Sequence, residues 1–209
     1  MTTTLLLIRH GITDWNEAGR WQGHADIPLN ETGRQQAAQL AVRLSDWPIE
    51  AVISSDLQRC RQTAVVLATH HHLEPHFDAI WRERDVGDFS GMTSKEVRAR
   101  FSKIGQNGKR GLIDPPNGEP FHEVRRRAQT AYEKVLADHP NEMVAVVSHG
   151  GLLHSLIGQL IGLHEDEYGR FSLRGNTGLS IVEVINKQPY LTRLNDTSHL
   201  ELVPHVPTN

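Results

Sequence analysis

The chain has 209 residues, of which 38% are hydrophobic and 22% charged, and its formal net charge is −3. This length suffices for one well-buried domain, and the slightly acidic balance does not favour a nucleic-acid surface. The single cysteine, Cys60, excludes an intramolecular disulfide and fits a reducing compartment. No stretch approaches the roughly 20 apolar residues of a membrane span. We therefore expect a soluble, cytoplasmic protein without a nucleic-acid or membrane partner.

Apolar runs and helical patterns alternate along the chain. The aliphatic run Leu5-Leu6-Leu7-Ile8 is typical of a strand buried on both faces, whereas residues 32–44 carry apolar side chains at helical spacing. Ser54-Ser55-Asp56 is interpreted as an N-cap cluster, and Thr93-Ser94-Lys95-Glu96 matches a capping box. The predicted elements are a strand at residues 3–8, a long loop at 12–30, a helix at 32–44, a strand at 51–53, a helix at 57–70, a short helix from 93 to about 101, a helix at 119–138, a strand at 143–147, a helix at 151–162, and strands at 177–185 and 190–194.

Strands that alternate with helices imply a mostly parallel sheet with helices on both faces. Pro189, at the end of the turn Lys187-Gln188-Pro189, places the last strand near the sheet edge. The sequence thus predicts an α/β fold, a single-domain three-layer α/β/α sandwich with an antiparallel edge strand, over residues 1–209. The Gly- and Pro-rich residues 102–120 fall inside this alternation, so we expect a lid or insertion at about 84–120.

Two clusters of ionisable side chains suggest other functions. Arg125-Arg126-Arg127 could be a basic patch, but it lies within a helical pattern and is interpreted as a solvated helix face. Among 13 histidines, His70-His71-His72 with His76 could bind a metal ion. Adjacent histidines point in different directions, and no HExxH or Cys-rich motif accompanies them, so no metal site is predicted.

Three predicted strands end at residues that suit the binding of an anion. The first ends at Arg9-His10-Gly11, the second at Ser54-Ser55-Asp56 with Arg59 one helical turn later, and the third at Ser148-His149-Gly150-Gly151. If these strands are parallel neighbours, their ends converge on one crevice at the carboxyl edge of the sheet. Two guanidiniums and a helix N-terminus make that crevice electropositive, and an imidazole there could attack a bound phosphoryl group.

These motifs, in this order, resemble those of the histidine phosphatase superfamily, which includes the cofactor-dependent phosphoglycerate mutases and bacterial broad-specificity phosphatases. The resemblance rests on Arg9-His10-Gly11 with Asp14-Trp15-Asn16, on the run from Ser54 to Arg59 with Thr63-Ala64, and on Ser148-His149-Gly150-Gly151. Residues 81–91 also match the family's Glu-x-x-x-Gly-x-x-x-Gly element, with the glutamate at Glu83.

The resemblance implies a role for each matching residue. His10 would be the nucleophile that forms a phosphohistidine, and Glu83 the proton donor to the leaving oxygen and later the base for water. The residues implied to bind the phosphoryl oxygens are Arg9, Asn16, Gln22, Arg59, His149 and Gly150. His10 must be neutral to attack, whereas His149 is more useful as a cation, so the two pKa values should differ. Neither a cofactor nor a metal ion is expected, because the arginines supply the positive charge.

The predicted function is a metal-independent phosphomonoester hydrolase acting on a small phosphorylated metabolite. A phosphoglycerate mutase is the alternative, because Glu83-Arg84 resembles the mutase pattern, although the interval from Glu83 to His149 is shorter than in the mutases. The basic residues of the mutases' longer insertion could be replaced in part by Lys103, Lys109 and Arg110. A non-catalytic phosphoryl-binding module, which keeps the pocket but lacks turnover, is the third interpretation, although a mere binder would need neither His10 nor Glu83. As a separate alternative, Glu83 could be a surface glutamate that pairs with Arg82 or Arg84.

The substrate walls and the assembly state are less constrained. We expect the walls around the leaving group to come from residues 12–30, 84–120 and 163–178, and the side chains expected there are His164, Tyr168, Arg170 and Arg174. The protein is expected to be a monomer or a homodimer.

Overall fold

A six-stranded mixed sheet runs through the computed structural model, which describes residues 2–101 and 114–201. The strands are β1 (Thr2–Arg9), β2 (Ala51–Ser54), β3 (His76–Phe77), β4 (Met143–Ser148), β5 (Leu179–Ile185) and β6 (Gln188–Asp196). They lie in the order β3-β2-β4-β1-β5-β6, and the first four are parallel. Because β5 is antiparallel to β1 and β6 is antiparallel to β5, the predicted mostly parallel sheet with an antiparallel edge is confirmed.

Helices cover both faces of this sheet. Within the described ranges the α-helices are α1 (Asp14–Glu17), α2 (Glu31–Leu44), α3 (Gln58–His70), α4 (Ser94–Arg100), α5 (Phe121–Asp138) and α6 (Gly150–Leu160). Those that pack on the sheet are α2, α3, α5 and α6. Successive strand residues point to opposite faces, so Leu5 and Leu7 pack with α5 and α6, while Leu6 and Ile8 pack with α2 and α3. Both faces of β1 are therefore buried, which explains its continuous aliphatic run and confirms the three-layer architecture.

The loop predicted at residues 12–30 contains the short helix α1. Its N-cap Thr13 forms a capping box with Asn16. The two-residue strand β3, which pairs with β2, was also absent from the sequence prediction. Neither element is long enough to produce a recognisable period, which is why the sequence pattern did not reveal them.

The prediction that Ser54-Ser55-Asp56 caps the following helix is wrong. Helix α3 begins after Leu57, whose side chain cannot cap it. The Gln58 N–H donates instead to Asp26 Oδ1 at 2.7 Å, from the loop between α1 and α2. The cap of α3 is therefore a tertiary contact across 32 residues of chain.

The segments around the predicted lid pack against each other. Val86, Phe89 and Val97 form a small separate core. The Asp88 N–H donates to the Pro116 carbonyl at 3.0 Å, and the predicted capping box of α4 is present. Residues 102–113, most of the Gly- and Pro-rich stretch, lie outside the described residues, so the lid stays a prediction.

Candidate active site

The register of the sheet brings three strand ends to one crevice. Arg9 at the end of β1 pairs with Ser148 at the end of β4, and Ser54 at the end of β2 pairs with Val147. A cavity of about 490 Å³ opens there. Seven of the eight predicted site residues line it, namely Arg9, His10, Asn16, Gln22, Arg59, Glu83 and Gly150. The eighth, His149, lies behind this lining and is fully buried.

His10 is held as a neutral imidazole with one nitrogen available. Only 3% of the residue is exposed. Its Nδ1 lies 2.7 Å from the Gly11 carbonyl oxygen, and because a carbonyl only accepts, Nδ1 carries the proton and Nε2 keeps its lone pair. Burial, and then the positive charges of Arg59 and Arg9, hold the pKa of His10 well below its ordinary value. The ring is thus in the tautomer that a nucleophile attacking through Nε2 requires.

The backbone at His10 is fixed from two sides. The Thr63 hydroxyl accepts the Gly11 N–H at 3.1 Å. Asn176 Nδ2 donates to the His10 carbonyl at 3.0 Å. Asn176 was missed by the sequence analysis, because a side-chain amide bound to a distant carbonyl leaves no pattern in the chain.

Arg9 presents one edge of its guanidinium to the cavity. Its Nη1 donates to the carbonyls of Leu173 and Arg174 at 3.1 and 2.6 Å. The buried Nε has no hydrogen-bond partner among the residues described, and neither has Nη2. The Nε–Nη2 edge is the one that binds an oxyanion bidentately, and arginine stays protonated even though burial lowers the pKa of Arg9. This edge is therefore suited to two oxygens of a phosphoryl group.

Arg59 is fully buried and is fixed by the protein itself. Its Nη1 and Nη2 donate to the carbonyls of Ala25 and Gly23 at 2.7 and 2.8 Å. Its Nε donates to His149 Nδ1 at 3.2 Å. With one bond from each nitrogen, the guanidinium cannot rotate, and its charge contributes to the cavity that it lines.

His149 is neutral in this structure, contrary to the expected cation. Its Nδ1 accepts from Arg59, so Nε2 carries the proton and donates to the Ser55 hydroxyl at 2.8 Å. Burial, and next the charge of Arg59, hold its pKa well below the ordinary value. Its ring meets that of His10 edge-on, with centroids 5.2 Å apart. The pKa values of both histidines are therefore lowered, and neither ring is favoured as a cation.

Glu83 caps the N-terminus of α6. Its Oε2 accepts the Gly151 N–H at 3.0 Å, and its Oε1 accepts the N–H groups of Leu152 and Arg84 at 3.0 and 2.9 Å. The surface alternative for Glu83 does not apply, since Arg82 pairs with Asp56 and Arg84 pairs with Asp114. The carboxyl group instead lies in the cavity beside the backbone of Gly151.

The remaining predicted ligands line the same cavity. Asn16 Oδ1 accepts from the Thr13 backbone N–H and hydroxyl, which leaves its amide nitrogen without a bond to any described residue. Gln22 is 8% exposed and its Oε1 is buried without a partner in the described part of the chain. Gly150 begins α6, and a Cβ there would lie 3.4 Å from Arg9 Nε. This is an ordinary van der Waals distance, so the guanidinium packs against the start of the helix without requiring a glycine there.

The outer wall of the cavity includes residues of all three predicted ranges, but most of the side chains named there do not line it. Of the four side chains expected there, only Arg174 lines it; His164, Tyr168 and Arg170 do not. Tyr168 is buried against His154, whose ring also stacks on Phe171. The wall is formed instead by Trp21, Phe121, His154 and Phe171 with their neighbours. No sequence pattern marks these residues as a wall, because Trp21 and Phe171 lie outside helices and strands, whereas Phe121 and His154 reach the cavity from α5 and α6.

Neither of the two clusters of ionisable residues forms a second site. Arg125, Arg126 and Arg127 pair with Glu165, Glu123 and Glu119 respectively. Over residues 2–101 and 114–201, no three His, Cys, Asp or Glu side chains are grouped so that they could hold a metal ion. In the same ranges no helix has the length and apolarity of a transmembrane span.

Known proteins resemble this chain in sequence and in fold. The chain is 33% identical to phosphoglycerate mutase-like protein 4 of Arabidopsis thaliana, covering 94% of this chain and 86% of the relative. It is 31% identical to a metal-independent phosphoserine phosphatase of the same plant, covering 96% and 84%. A mutant phosphoserine phosphatase from Entamoeba histolytica, solved with phosphoserine, superposes with a TM-score of 0.84 at 29% identity over 95% of this chain and all of that one. The family profile of the histidine phosphatase superfamily, branch 1, matches residues 5–197, and the chain belongs to this family.

Proposed function

We propose that the protein is a phosphomonoester hydrolase that acts on small phosphorylated metabolites through a phosphohistidine at His10. The observation that carries the proposal is the state of the nucleophile: a neutral, buried imidazole whose Nδ1 is bound and whose Nε2 has no hydrogen bond to any described residue. The open edge of Arg9 lies in the same cavity. A mere phosphate-binding module would need the guanidiniums but not an imidazole held in one tautomer.

In the first step, His10 Nε2 attacks phosphorus in line with the ester oxygen. The P–N bond forms and the P–O bond breaks, while Arg9 and Arg59 stabilise the charge on the equatorial oxygens. A protonated Glu83 gives its proton to the leaving oxygen, which departs as the alcohol. Oε2 is the better candidate for that proton, because it accepts one N–H bond whereas Oε1 accepts two.

In the second step, a water molecule attacks the phosphohistidine. Ionised Glu83 takes one proton from the water, the new P–O bond forms and the P–N bond breaks. His10 regains its lone pair, and inorganic phosphate leaves. The sum is one ester and one water giving one alcohol and one phosphate, and the two guanidiniums supply the positive charge without a metal ion.

The test is hydrolysis of p-nitrophenyl phosphate and of a panel of phosphorylated metabolites by wild type and His10→Asn, all in EDTA. We expect wild type to release phosphate and the variant to lose at least about a thousandfold in kcat/KM. Rapid quench into alkali should trap acid-labile phosphate on wild type only. The control His122→Asn, at an exposed position, should behave as wild type. Full activity of His10→Asn would refute the proposal.

A mutase remains the second candidate because of the mutase-like relative. It requires interconversion of 3-phosphoglycerate that depends on 2,3-bisphosphoglycerate. Arg84, part of the mutase-like pair, is engaged by Asp114 and by the Glu119 carbonyl at 2.8 Å. Lys103, Lys109 and Arg110 lie outside the described residues. Release of free phosphate without interconversion excludes the mutase.

A further inference from the structure

Arg127, the last residue of the triple-arginine motif, does not form part of a solvated face. It lies in α5 with its guanidinium directed at the segment that carries Glu83. Its Nη1 donates to the carbonyls of Ile80 and Arg82 at 2.9 and 2.7 Å, and its Nη2 donates to the Glu83 carbonyl at 3.2 Å. One side chain thus binds three carbonyls within four residues of chain.

A carboxylate fixes the orientation of that guanidinium. Glu119 accepts from Arg127 Nε at 2.9 Å and from Nη2 at 2.7 Å, a bidentate pair in which both side chains are mostly buried. Glu119 also holds the other side of Glu83, because its own N–H donates to the Asp85 carbonyl at 2.9 Å. Such a planar fork cannot be reproduced by a lysine.

Glu83 is consequently held at both ends. Its carbonyl accepts from Arg127 and from His24 Nε2, the latter at 2.9 Å, while its carboxyl group is bound by the first N–H groups of α6. Residues 82–86 have no regular secondary structure that could fix them otherwise. The two neighbouring arginines differ, since Arg126 is 78% exposed and pairs with Glu123, and Arg125 pairs with Glu165.

We propose that Arg127, oriented by Glu119, is a positioning residue that sets the place of Glu83 and hence proton transfer to the leaving oxygen. The inference rests on the proposed function. It gives the triple-arginine motif a role in catalysis through its third member alone. Arg127 itself touches no reacting atom.

The test compares an ester that needs a proton on its leaving oxygen with one that does not. p-Nitrophenolate departs without protonation, whereas an alkoxide does not, so loss of a general acid selectively slows alkyl phosphates. We measure kcat/KM for p-nitrophenyl phosphate and for the alkyl phosphate that wild type hydrolyses fastest. The ratio of kcat/KM for p-nitrophenyl phosphate to kcat/KM for the alkyl phosphate should rise about a hundredfold in Glu83→Gln and about tenfold in Arg127→Met. A general loss of structure would lower both rates together and leave the ratio unchanged.

Further variants keep the test decisive. Arg127→Lys keeps the charge but has only one side-chain nitrogen, so it should raise the ratio by less than the tenfold expected for Arg127→Met. It also provides a test if Arg127→Met does not fold. Arg126→Met should leave the ratio at the wild-type value. In the Glu83→Gln background, Arg127→Met should raise it no further, because the two residues act through one proton transfer.

The two proposals fail in different ways. If Glu83→Gln raises the ratio and both Arg127 variants leave it unchanged, the positioning role is refuted and the proposed function stands. A further rise of the ratio in the double variant also refutes it. If wild type hydrolyses neither ester, or Glu83→Gln leaves the ratio unchanged, the proposed role of Glu83 fails and the inference fails with it.

Discussion

Gly151 controls how closely Glu83 can approach the end of α6. A Cβ at this position would lie 2.5 Å from Glu83 Oε1, far inside van der Waals contact. Because the obstructed atom is the end of a flexible side chain, the carboxyl group can move away without unfolding the protein. Alanine is also the better helix former by about 1 kcal/mol, so the helix itself would not suffer.

Gly151→Ala should therefore separate activity from stability. We expect kcat/KM for an alkyl phosphate to fall about tenfold or more, with the melting temperature lowered by no more than a few degrees. Steady-state kinetics and thermal unfolding measure the two quantities. Gly169→Ala is the matched control, because a Cβ there meets nothing within 4 Å. Unchanged kinetics in Gly151→Ala would show that the carboxyl position is not critical.

Site residues were predictable from the sequence where they lie at the end of a predicted strand. Arg9, His10 and Gly150 follow directly from buried runs, and the parallel register places those ends side by side. Arg127 and Asn176 were not predictable, because each acts through bonds to carbonyls far along the chain. The neutral state of His149 also required the structure, since it depends on which nitrogen Arg59 approaches.

Among the elements, α3 depends on a loop remote in sequence. Asp26 Oδ1 accepts the Gln58 N–H, and Gln58 Nε2 returns a bond to Asp26 Oδ2 at 3.0 Å. The same loop provides both carbonyls that hold Arg59. The contact between α3 and residues 23–26 thus both caps the helix and fixes Arg59.

Asp26→Ala should lower the free energy of unfolding by about 1 kcal/mol, the usual cost of losing a helix cap. Asp26→Asn keeps an acceptor oxygen, so a smaller loss is expected. Urea denaturation monitored by circular dichroism measures the difference. Asp46→Ala serves as the control, because Asp46 is exposed and lies outside any cap. A loss at Asp46 equal to that at Asp26 would contradict the capping role.

Elements with several turns or a continuous apolar run were predictable to within about two residues. The helices α2 and α5 each bury one stripe of side chains, and the strand β4 is buried on both faces. This burial produces the helical spacing and the continuous apolar run from which the elements are predicted. The errors fall where structure depends on contacts across the chain. The cap from Asp26 and the short strand β3 both depend on residues distant in the chain, which a local sequence pattern does not indicate.

For the molecule as a whole, the buried histidines should make stability depend on pH. His10 and His149 are both buried, and burial is the main cause that lowers the pKa of each. On unfolding, the imidazoles return to an ordinary pKa of about 6.5. Below that pH the unfolded chain binds protons that the folded chain does not, so stability is fully present above about pH 6.5 and is lost as the pH falls.

The free energy of unfolding should therefore decline between about pH 6.5 and pH 5, before most carboxylates titrate. Each of the two histidines contributes a slope of up to about 1.4 kcal/mol per pH unit. His10→Asn removes one titrating group and should reduce the slope by up to that amount, whereas His122→Asn, at an exposed site, should leave it unchanged. Urea denaturation at half-unit pH intervals measures the slopes. If His10→Asn keeps the wild-type slope, His10 is not the neutral buried base on which the proposed chemistry depends.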